Sequence, residues 1–222
     1  MNALTQSNVK ILKRKDGDEN FMKLPKKCEV NKFIPKKVFY EKVGVSSSIK
    51  DDFVNLVDRI TWLYKLSPDT IGISKNEKVE EIEIFQIDLK EKKIPTTILK
   101  TITKGIPYKI LFVLKYENEL CYSVKVEDFY TSEWNKKLDF EYNAINLEIV
   151  FENIVKNIIG ENDNNNSFKD IIETKNILND LENKINNLKN KIKKEKQFNK
   201  KVELNKELNK LLSELEEIQC KD

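Results

Sequence analysis

The sequence contains no histidine in 222 residues, and it has only five glycines, five prolines and three cysteines. Histidine is the commonest general base near neutral pH, so any catalysis would have to use carboxylates, lysines, cysteines or hydroxyls. Cys28, Cys121 and Cys220 are far apart and form no C-x-x-C pair. This spacing indicates neither a zinc site nor a disulfide framework, and unpaired cysteines are typical of a reducing, cytoplasmic compartment.

The chain also lacks a long apolar run. Its first residues are polar and mixed in charge, without the apolar core of a signal peptide, and no later stretch approaches the length of a membrane span. Arginine occurs only at Arg14 and Arg59, so nearly all the positive charge is lysine. Because arginine makes the bidentate contacts with phosphate and guanine, its near absence weakens the case for sequence-specific nucleic-acid recognition.

What is present is an alternation of strand and helix patterns around one central unit. Residues 79–89 are rich in β-branched and aromatic side chains and predict a strand, and residues 94–102 have apolar side chains at helical spacing. Residues 108–114 form a continuous apolar run, typical of a buried strand. Because a strand–helix–strand unit normally makes two parallel neighbours, we predict an α/β fold, with a mixed sheet and flanking helices.

Other elements are predicted on both sides of this unit. Gly44 and Gly160 end two predicted helices, and the serines at 46–48 offer N-caps for a third. In chain order, we predict a helix at 36–43, an amphipathic helix at 49–64, a short strand at Ile71 and Ile73, strands at 108–115 and 121–126 joined by a hairpin turn, an edge strand at 129–134, and a helix at 147–158.

Two apolar stripes follow a polar stretch near residue 161. The first has Leu178, Leu181, Ile185, Leu188 and Ile192 at the spacing of a coiled-coil seam, and the second has Leu204, Leu208, Leu211, Leu215 and Ile218. The second stripe is displaced by two residues from the frame of the first, about 200° around a helix. One straight helix would carry the stripes on opposite sides, so we predict two helices folded back near residues 194–200.

These patterns divide the chain into four parts. We predict a disordered tail at 1–20, an α/β core domain at 21–160, a polar linker at 161–167, and a coiled-coil helical hairpin at 168–222.

Several segments resemble a known bacterial family, the one called domain of unknown function 4391. They are LPKKCEVN at 24–31, WLYKLSPDT at 62–70, VEEIEIF at 79–85, IPY at 106–108 and KEKQFNKKVELN at 194–205. The family has no established activity to carry over. The resemblance implies gene neighbourhoods with restriction-type methyltransferases and helicases, and therefore an accessory role in phage defence.

One motif suggests an enzyme instead. Pro68-Asp69 followed by Asp88-Leu-Lys90 fits the loose pattern P-D…(D/E)-x-K, in which two carboxylates hold Mg²⁺ and a lysine assists the attacking water. Asp69, Asp88 and Lys90 are therefore the candidate catalytic residues of a metal-dependent nuclease. Glu81 and Glu83 share a strand face and could join Asp69, although pairing with lysines or exposure to solvent is the favoured interpretation.

Two further clusters suggest binding surfaces. The predicted hairpin tip carries lysines that could contact a phosphate backbone, although a solvated or protein-docking tip is favoured. They include Lys191, Lys193, Lys194, Lys196, Lys200 and Lys201. Phe129, Tyr130 and Trp134, with Lys136 and Lys137, could form a stacking platform for single strands, but packing in the core is the favoured interpretation.

We therefore expect a non-catalytic accessory protein that docks on a larger helicase or methyltransferase. The predicted docking residues are Leu178, Leu181, Ile185, Leu188, Leu208, Leu211 and Leu215, because amphipathic helices bind partner helices or grooves. A nuclease, a weak non-specific DNA binder and a homodimer remain open. No cofactor is predicted, and Mg²⁺ enters only with the nuclease alternative.

Overall fold

The computed structural model describes residues 24–139, 142–160 and 166–219. The chain divides into two compact units, with the boundary between residues 162 and 163. The predicted tail at 1–20 and most of the predicted linker lie outside the described residues. Within the described residues, no helix combines the length and the apolar character that crossing a bilayer requires.

The first unit contains a six-stranded mixed sheet whose spatial order follows the order of the chain. Its strands are β1 (Glu29–Phe33), β2 (Val57–Leu66), β3 (Ile82–Leu89), β4 (Lys109–Tyr116), β5 (Glu119–Lys125) and β6 (Phe129–Thr131). β3 and β4 are parallel, and all the other neighbouring strands are antiparallel. The parallel pair is the strand–helix–strand unit that the sequence predicts.

Five helices and one turn of 3-10 helix (Lys26–Cys28) accompany the sheet among the described residues. The helices are α1 (Lys37–Val43), α2 (Ser47–Leu56), α3 (Pro68–Ile71), α4 (Thr96–Gly105) and α5 (Leu147–Ile159). Gly44 and Gly160 end α1 and α5 with φ angles of 68° and 95°, which is the left-handed conformation that favours glycine. The predicted ends of these two helices are therefore confirmed.

Alternating residues of β3 and β4 form one buried cluster with α4. Phe85 and Ile87 of β3 face Phe112 and Leu114 of β4, as the strand period of two requires. The cluster is completed from α4 by Ile98, Leu99 and Ile102. α5 packs against β5 and β6, and the apolar stripe of α5 is buried.

The predicted helix at 49–64 is wrong in its second half. α2 ends at Leu56, and the chain continues as strand β2 between β1 and β3. The register of β2 shifts at two places, next to Val57 and next to Trp62. These irregularities break the period of two, so buried residues recur at intervals of three, as they would on a helix.

The predicted short strand at Ile71 and Ile73 is also wrong. Residues Pro68–Ile71 form α3, whose start is fixed by Ser67 and Thr70 in a capping box. Gly72, at a φ of 70°, ends this turn of helix. Ser74 makes an isolated bridge with Asn146, so this stretch adds no strand to the sheet.

The second unit consists of two helices, α6 (Phe168–Lys194) and α7 (Phe198–Gln219), that pack against each other. Only residues 195–197 connect them, so helices that pack along their length must run antiparallel. The buried residues of α6 include Leu181, Ile185 and Leu188 of the first apolar stripe. The prediction that the C-terminal segment folds back on itself is confirmed.

Candidate functional site

The three residues of the nuclease motif do not come together. Asp69 lies in α3, directly after the end of β2, whereas Asp88 is near the end of β3. Leu66 pairs with Ile82, and Arg59 pairs with Asp88, six residues further along β3. Six residues of strand span about 20 Å, so the two carboxylates lie at opposite ends of the β2–β3 pair and do not share a metal ion.

Asp88 instead belongs to a cross-strand polar pairing. Its carboxylate accepts a hydrogen bond of 2.7 Å from Nε2 of Gln86, and it faces Arg59 on β2 and Lys115 on β4. Burial raises the pKa of Asp88, and the hydrogen bond from Gln86 and the two cations oppose this rise. The ammonium of Lys90 donates to the carbonyl of Val54 at 2.7 Å, which fixes it at the end of α2.

The structure brings together a different set of ionisable residues, Lys65, Glu81 and Glu83. Lys65 of β2 pairs with Glu83 of β3 in the sheet, and its Nζ donates to Oε1 of Glu81 at 2.7 Å. Glu83 is only 5% exposed, and its Oε2 has no hydrogen-bond partner. We call these three residues the Lys65–Glu81–Glu83 cluster.

The surroundings shift the ionisation of this cluster. Burial and the neighbouring charge of Glu81 raise the pKa of Glu83 to about 7 from an ordinary value of 4.5, while Lys65 opposes the rise. Burial lowers the pKa of Lys65, but the hydrogen bond from Lys65 to Glu81 and the charges of both glutamates raise it by more. Strongly shifted groups of this kind are concentrated at functional sites.

The cluster adjoins an open crevice of about 610 Å³ at the start of β3 and β4. Glu81 belongs to the wall of this crevice, together with Tyr108 and Lys109 from the start of β4. Glu81 therefore connects the cluster to a concave, polar surface of the first unit, whereas the buried Glu83 is not one of the residues of the crevice wall.

The sequence placed Glu81 and Glu83 on one strand face, and it favoured pairing with lysines or exposure to solvent. Glu81 is paired with Lys65, as expected, but Glu83 is buried. Asp69 does not join them, since the described residues contain no group of three or more acidic or cysteine side chains able to hold a metal ion. The part played by Lys65 was missed, because residues 57–64, directly before it, were predicted as helix and not as the strand that pairs with β3.

The aromatic residues of the proposed stacking platform are buried or pack against other side chains of the first unit. Tyr130 is 3% exposed, Phe129 lies 6.4 Å from the ring of Phe112, and Lys92 lies 5.5 Å from the ring centre of Trp134. Packing in the core, the favoured interpretation, is what the structure shows.

The predicted docking residues lie on the facing sides of the hairpin. Leu181, Ile185 and Leu188 of α6 are buried, whereas no residue of α7 is buried. The others are half-buried: Leu178 on α6 and Leu208, Leu211 and Leu215 on α7. The hairpin therefore covers only part of the apolar stripe of α7.

The lysines of the predicted tip surround the connection between the helices. Lys191, Lys193 and Lys194 end α6, Lys196 lies in the connection, and Lys200 and Lys201 are in the first turn of α7. Phe198, among them, is 78% exposed. The carboxylate of Glu195 accepts backbone hydrogen bonds of 2.8 Å from residues 196 and 197, which lowers its pKa and holds it to the backbone.

Comparison with known protein families finds a match over most of the chain. The family model described as "Domain of unknown function (DUF4391)" matches residues 22–215, which include the sheet, the Lys65–Glu81–Glu83 cluster and most of the hairpin. No curated protein and no solved structure matches the chain. The chain therefore belongs to the DUF4391 family.

Proposed function

We propose that this protein is a non-catalytic accessory subunit that docks through its helical hairpin on a larger nucleic-acid-processing protein. The single observation that carries this proposal is the incomplete coverage of α7. Helices α6 and α7 pack together, yet α7 keeps its leucines at least partly exposed. A hairpin of this kind accepts a further helix, or it enters a groove, because the apolar stripe of α7 is only half covered.

The exposed apolar residues of the hairpin extend this surface. Phe198, Ile177 and Val202 are 78%, 45% and 39% exposed. Large aromatic side chains that fill a pocket of a partner contribute much of the binding energy of an interface. Phe198 at the tip is therefore the expected anchor, and the surrounding lysines favour an acidic rim on the partner.

The partner class follows from the family. The resemblance to DUF4391 implies neighbouring genes for restriction-type methyltransferases and helicases, and we propose one of these enzymes as the docking partner in phage defence. This is an association between genes, so the physical contact is the property to test.

The test is co-purification of the full chain with the helicase or the methyltransferase encoded beside it. Phe198→Asp and Ile177→Asp each place a charge on the hairpin surface without changing the buried residues of α6. We expect each to weaken the complex at least about tenfold, as the loss of an interface anchor does. Ile145→Asp is the matched control, because Ile145 is 87% exposed in the first unit.

A complex that survives both hairpin substitutions would contradict docking through the hairpin. Loss of the complex in Ile145→Asp alone would move the contact to the first unit. Capture of neither enzyme by the unmodified chain would contradict the partner class itself.

Weak, non-specific DNA binding is a second candidate function, favoured by the basic tip. From residue 189 to residue 201 the chain has seven lysines and one glutamate. The nuclease alternative has less support, since Asp69 and Asp88 lie at opposite ends of the β2–β3 pair.

A further inference from the structure

The Lys65–Glu81–Glu83 cluster has one more carboxylate than ammonium group. Lys65 supplies one positive charge, and its hydrogen bond goes to Oε1 of Glu81. Glu83 has no ion pair of comparable geometry among the described residues, although its side chain lies against Glu81 and within the field of Lys65. When both carboxyl groups are ionised, the cluster carries a net negative charge beside the crevice.

An oxygen atom of Glu83 also lacks a partner. Its Oε2 is buried without a hydrogen bond, which is uncommon in folded proteins, where buried polar atoms are nearly always paired. The indole N–H of Trp62 donates to the carbonyl of Tyr64 at 3.0 Å, and the side chains of Trp62 and Glu81 both lie within hydrogen-bonding reach of the Glu83 carboxyl group. Oε2 is therefore left without a hydrogen bond beside a second carboxylate, that of Glu81, which is close enough to share a proton or a cation with it.

From this geometry we infer that Glu81 and Glu83 bind one hydrated divalent cation, with Mg²⁺ as the physiological class of ion. Mg²⁺ keeps several of its waters and is usually held by one or two carboxylates together with the phosphate oxygens of a substrate, so two glutamates match the protein part of such a site. The side chain of Glu81 is 20% exposed and lines the crevice, which gives a hydrated ion access. Glu83 supplies the oxygen that is otherwise unpaired.

The donor set selects the kind of ion. Among the described residues, no group of three or more acidic or cysteine side chains is arranged so that it could hold a metal ion, and the sequence has no histidine. A closed tetrahedral site for Zn²⁺ needs nitrogen or sulfur ligands that this cluster lacks, whereas a hard cation prefers carboxylate and water. Lys65 contacts the same carboxylate and therefore competes with the ion for Glu81.

The test uses Tb³⁺ and Mn²⁺ as probes on the full chain. Trp62 adjoins Glu83, so excitation of tryptophan should sensitise Tb³⁺ luminescence from a bound ion, and Mg²⁺ or Mn²⁺ should displace it. Titration of Mn²⁺ followed by electron paramagnetic resonance gives the affinity without depending on a tryptophan. The second tryptophan, Trp134, lies beside Lys92 and not beside the cluster.

Glu83→Gln should weaken Mn²⁺ binding at least about tenfold, a typical loss when the carboxylate shell of a metal is altered. Lys65→Met removes the competing ammonium and should tighten binding, a result that a misfolded variant would not give. Glu80→Gln is the control, because Glu80 lines the same crevice but pairs with Lys75 at 3.8 Å. Trp62→Phe should abolish sensitised luminescence while Mn²⁺ binding persists.

Equal Mn²⁺ affinity in the unmodified chain and in Glu83→Gln would overturn the inference, as would the absence of saturable binding. A Lys65→Met variant that binds no more tightly would show that Lys65 and the ion do not share Glu81. None of these outcomes depends on the partner of the hairpin, so this inference and the proposed function can fail separately.

Discussion

Glu83 has a carboxyl group that the fold keeps almost entirely out of water. It lies between Lys65 on the neighbouring strand and Ile110 on the other side, with Glu81 two residues before it. Removing a carboxylate from water favours its neutral form, and the nearby charge of Glu81 adds to this effect. Ionisation of Glu83 therefore lowers the free energy of unfolding.

This cost predicts a pH dependence of stability. Because the folded pKa of about 7 lies above the ordinary 4.5, the contribution of Glu83 is fully present below pH 4.5 and is lost as the pH rises through 7. The loss approaches about 3 kcal/mol at most, from 1.36 kcal/mol per pKa unit. Glu83→Gln removes this ionisation. The free energy of unfolding of the variant should therefore rise relative to that of the unmodified chain as the pH increases from 5 to 8.

Urea unfolding at several pH values, with a chelator present, measures this difference. Ionisable groups outside the Lys65–Glu81–Glu83 cluster contribute equally to both proteins and cancel, so the difference reports on the cluster. Glu80→Gln controls for the loss of one negative charge at an exposed position, since the Glu80 side chain is 58% exposed. A stability difference between Glu83→Gln and the unmodified chain that does not change with pH would contradict the assignment.

The sequence predicted one feature of this cluster but not the other. The strand period of two predicted that Glu81 and Glu83 share a face. It could not identify Lys65 as their partner, because pairing across a sheet depends on register between distant segments. For the same reason the spacing of Asp69 and Asp88 suggested a shared metal ion, whereas the antiparallel register separates them.

At the scale of elements, the accuracy of prediction depended on regular periods. The strands at 82–89 and 109–116, helix α4, helix α5 and the helical hairpin were predictable, because their apolar residues recur without interruption. β2 was not, because register shifts at two places give it buried residues at intervals of three. Local spacing could not distinguish such a strand from a helix without knowledge of its neighbours.

The hairpin tip permits an element-scale prediction about DNA. Each phosphate contact releases counterions, so the logarithm of affinity should fall with the logarithm of salt concentration by about 0.9 per contact. We expect weak, salt-sensitive binding of a DNA duplex by the pure protein, with no preference for sequence. Replacing Lys191, Lys194 and Lys200 by glutamine should lower the salt slope by about 3 if all three contact phosphate.

Fluorescence anisotropy at several salt concentrations measures this slope. The matched control replaces Lys169, Lys175 and Lys184 by glutamine. These residues lie on α6 away from the tip, and their replacement removes the same amount of charge. Equal slopes for the two triple variants would mean that net charge, and not the tip, governs any DNA binding.

At the scale of the whole molecule, the chain combines a complete sheet domain with a hairpin of two long helices. The first unit has its own sheet, its own buried cluster and a terminal helix that ends at Gly160 in a left-handed conformation. The hairpin spans about 40 Å along α6, at 1.5 Å per residue. The sheet domain needs no residue of the hairpin to complete any strand pairing.

This division predicts the result of truncation after Gly160. We expect the shortened chain to remain folded, with the secondary structure and cooperative unfolding of a sheet domain, because its core lies within residues 24–160. It should lose co-purification with the proposed helicase or methyltransferase partner, since the partly exposed leucines of α7 and the exposed Phe198 have been removed. Circular dichroism, urea unfolding and co-purification together measure these properties.

Sedimentation of the two proteins separates docking from self-association, because an apolar stripe that is half covered in one hairpin can also be covered by a second hairpin. If the hairpin docks on a different protein, the full chain and the truncated chain should both sediment as monomers. If two hairpins pair, the full chain should be a dimer that truncation converts to a monomer, and the half-buried leucines of α7 would then be dimer contacts. Aggregation of the truncated chain would contradict its expected folding as an independent domain and would mean that residues beyond 160 cover apolar surface of the sheet domain.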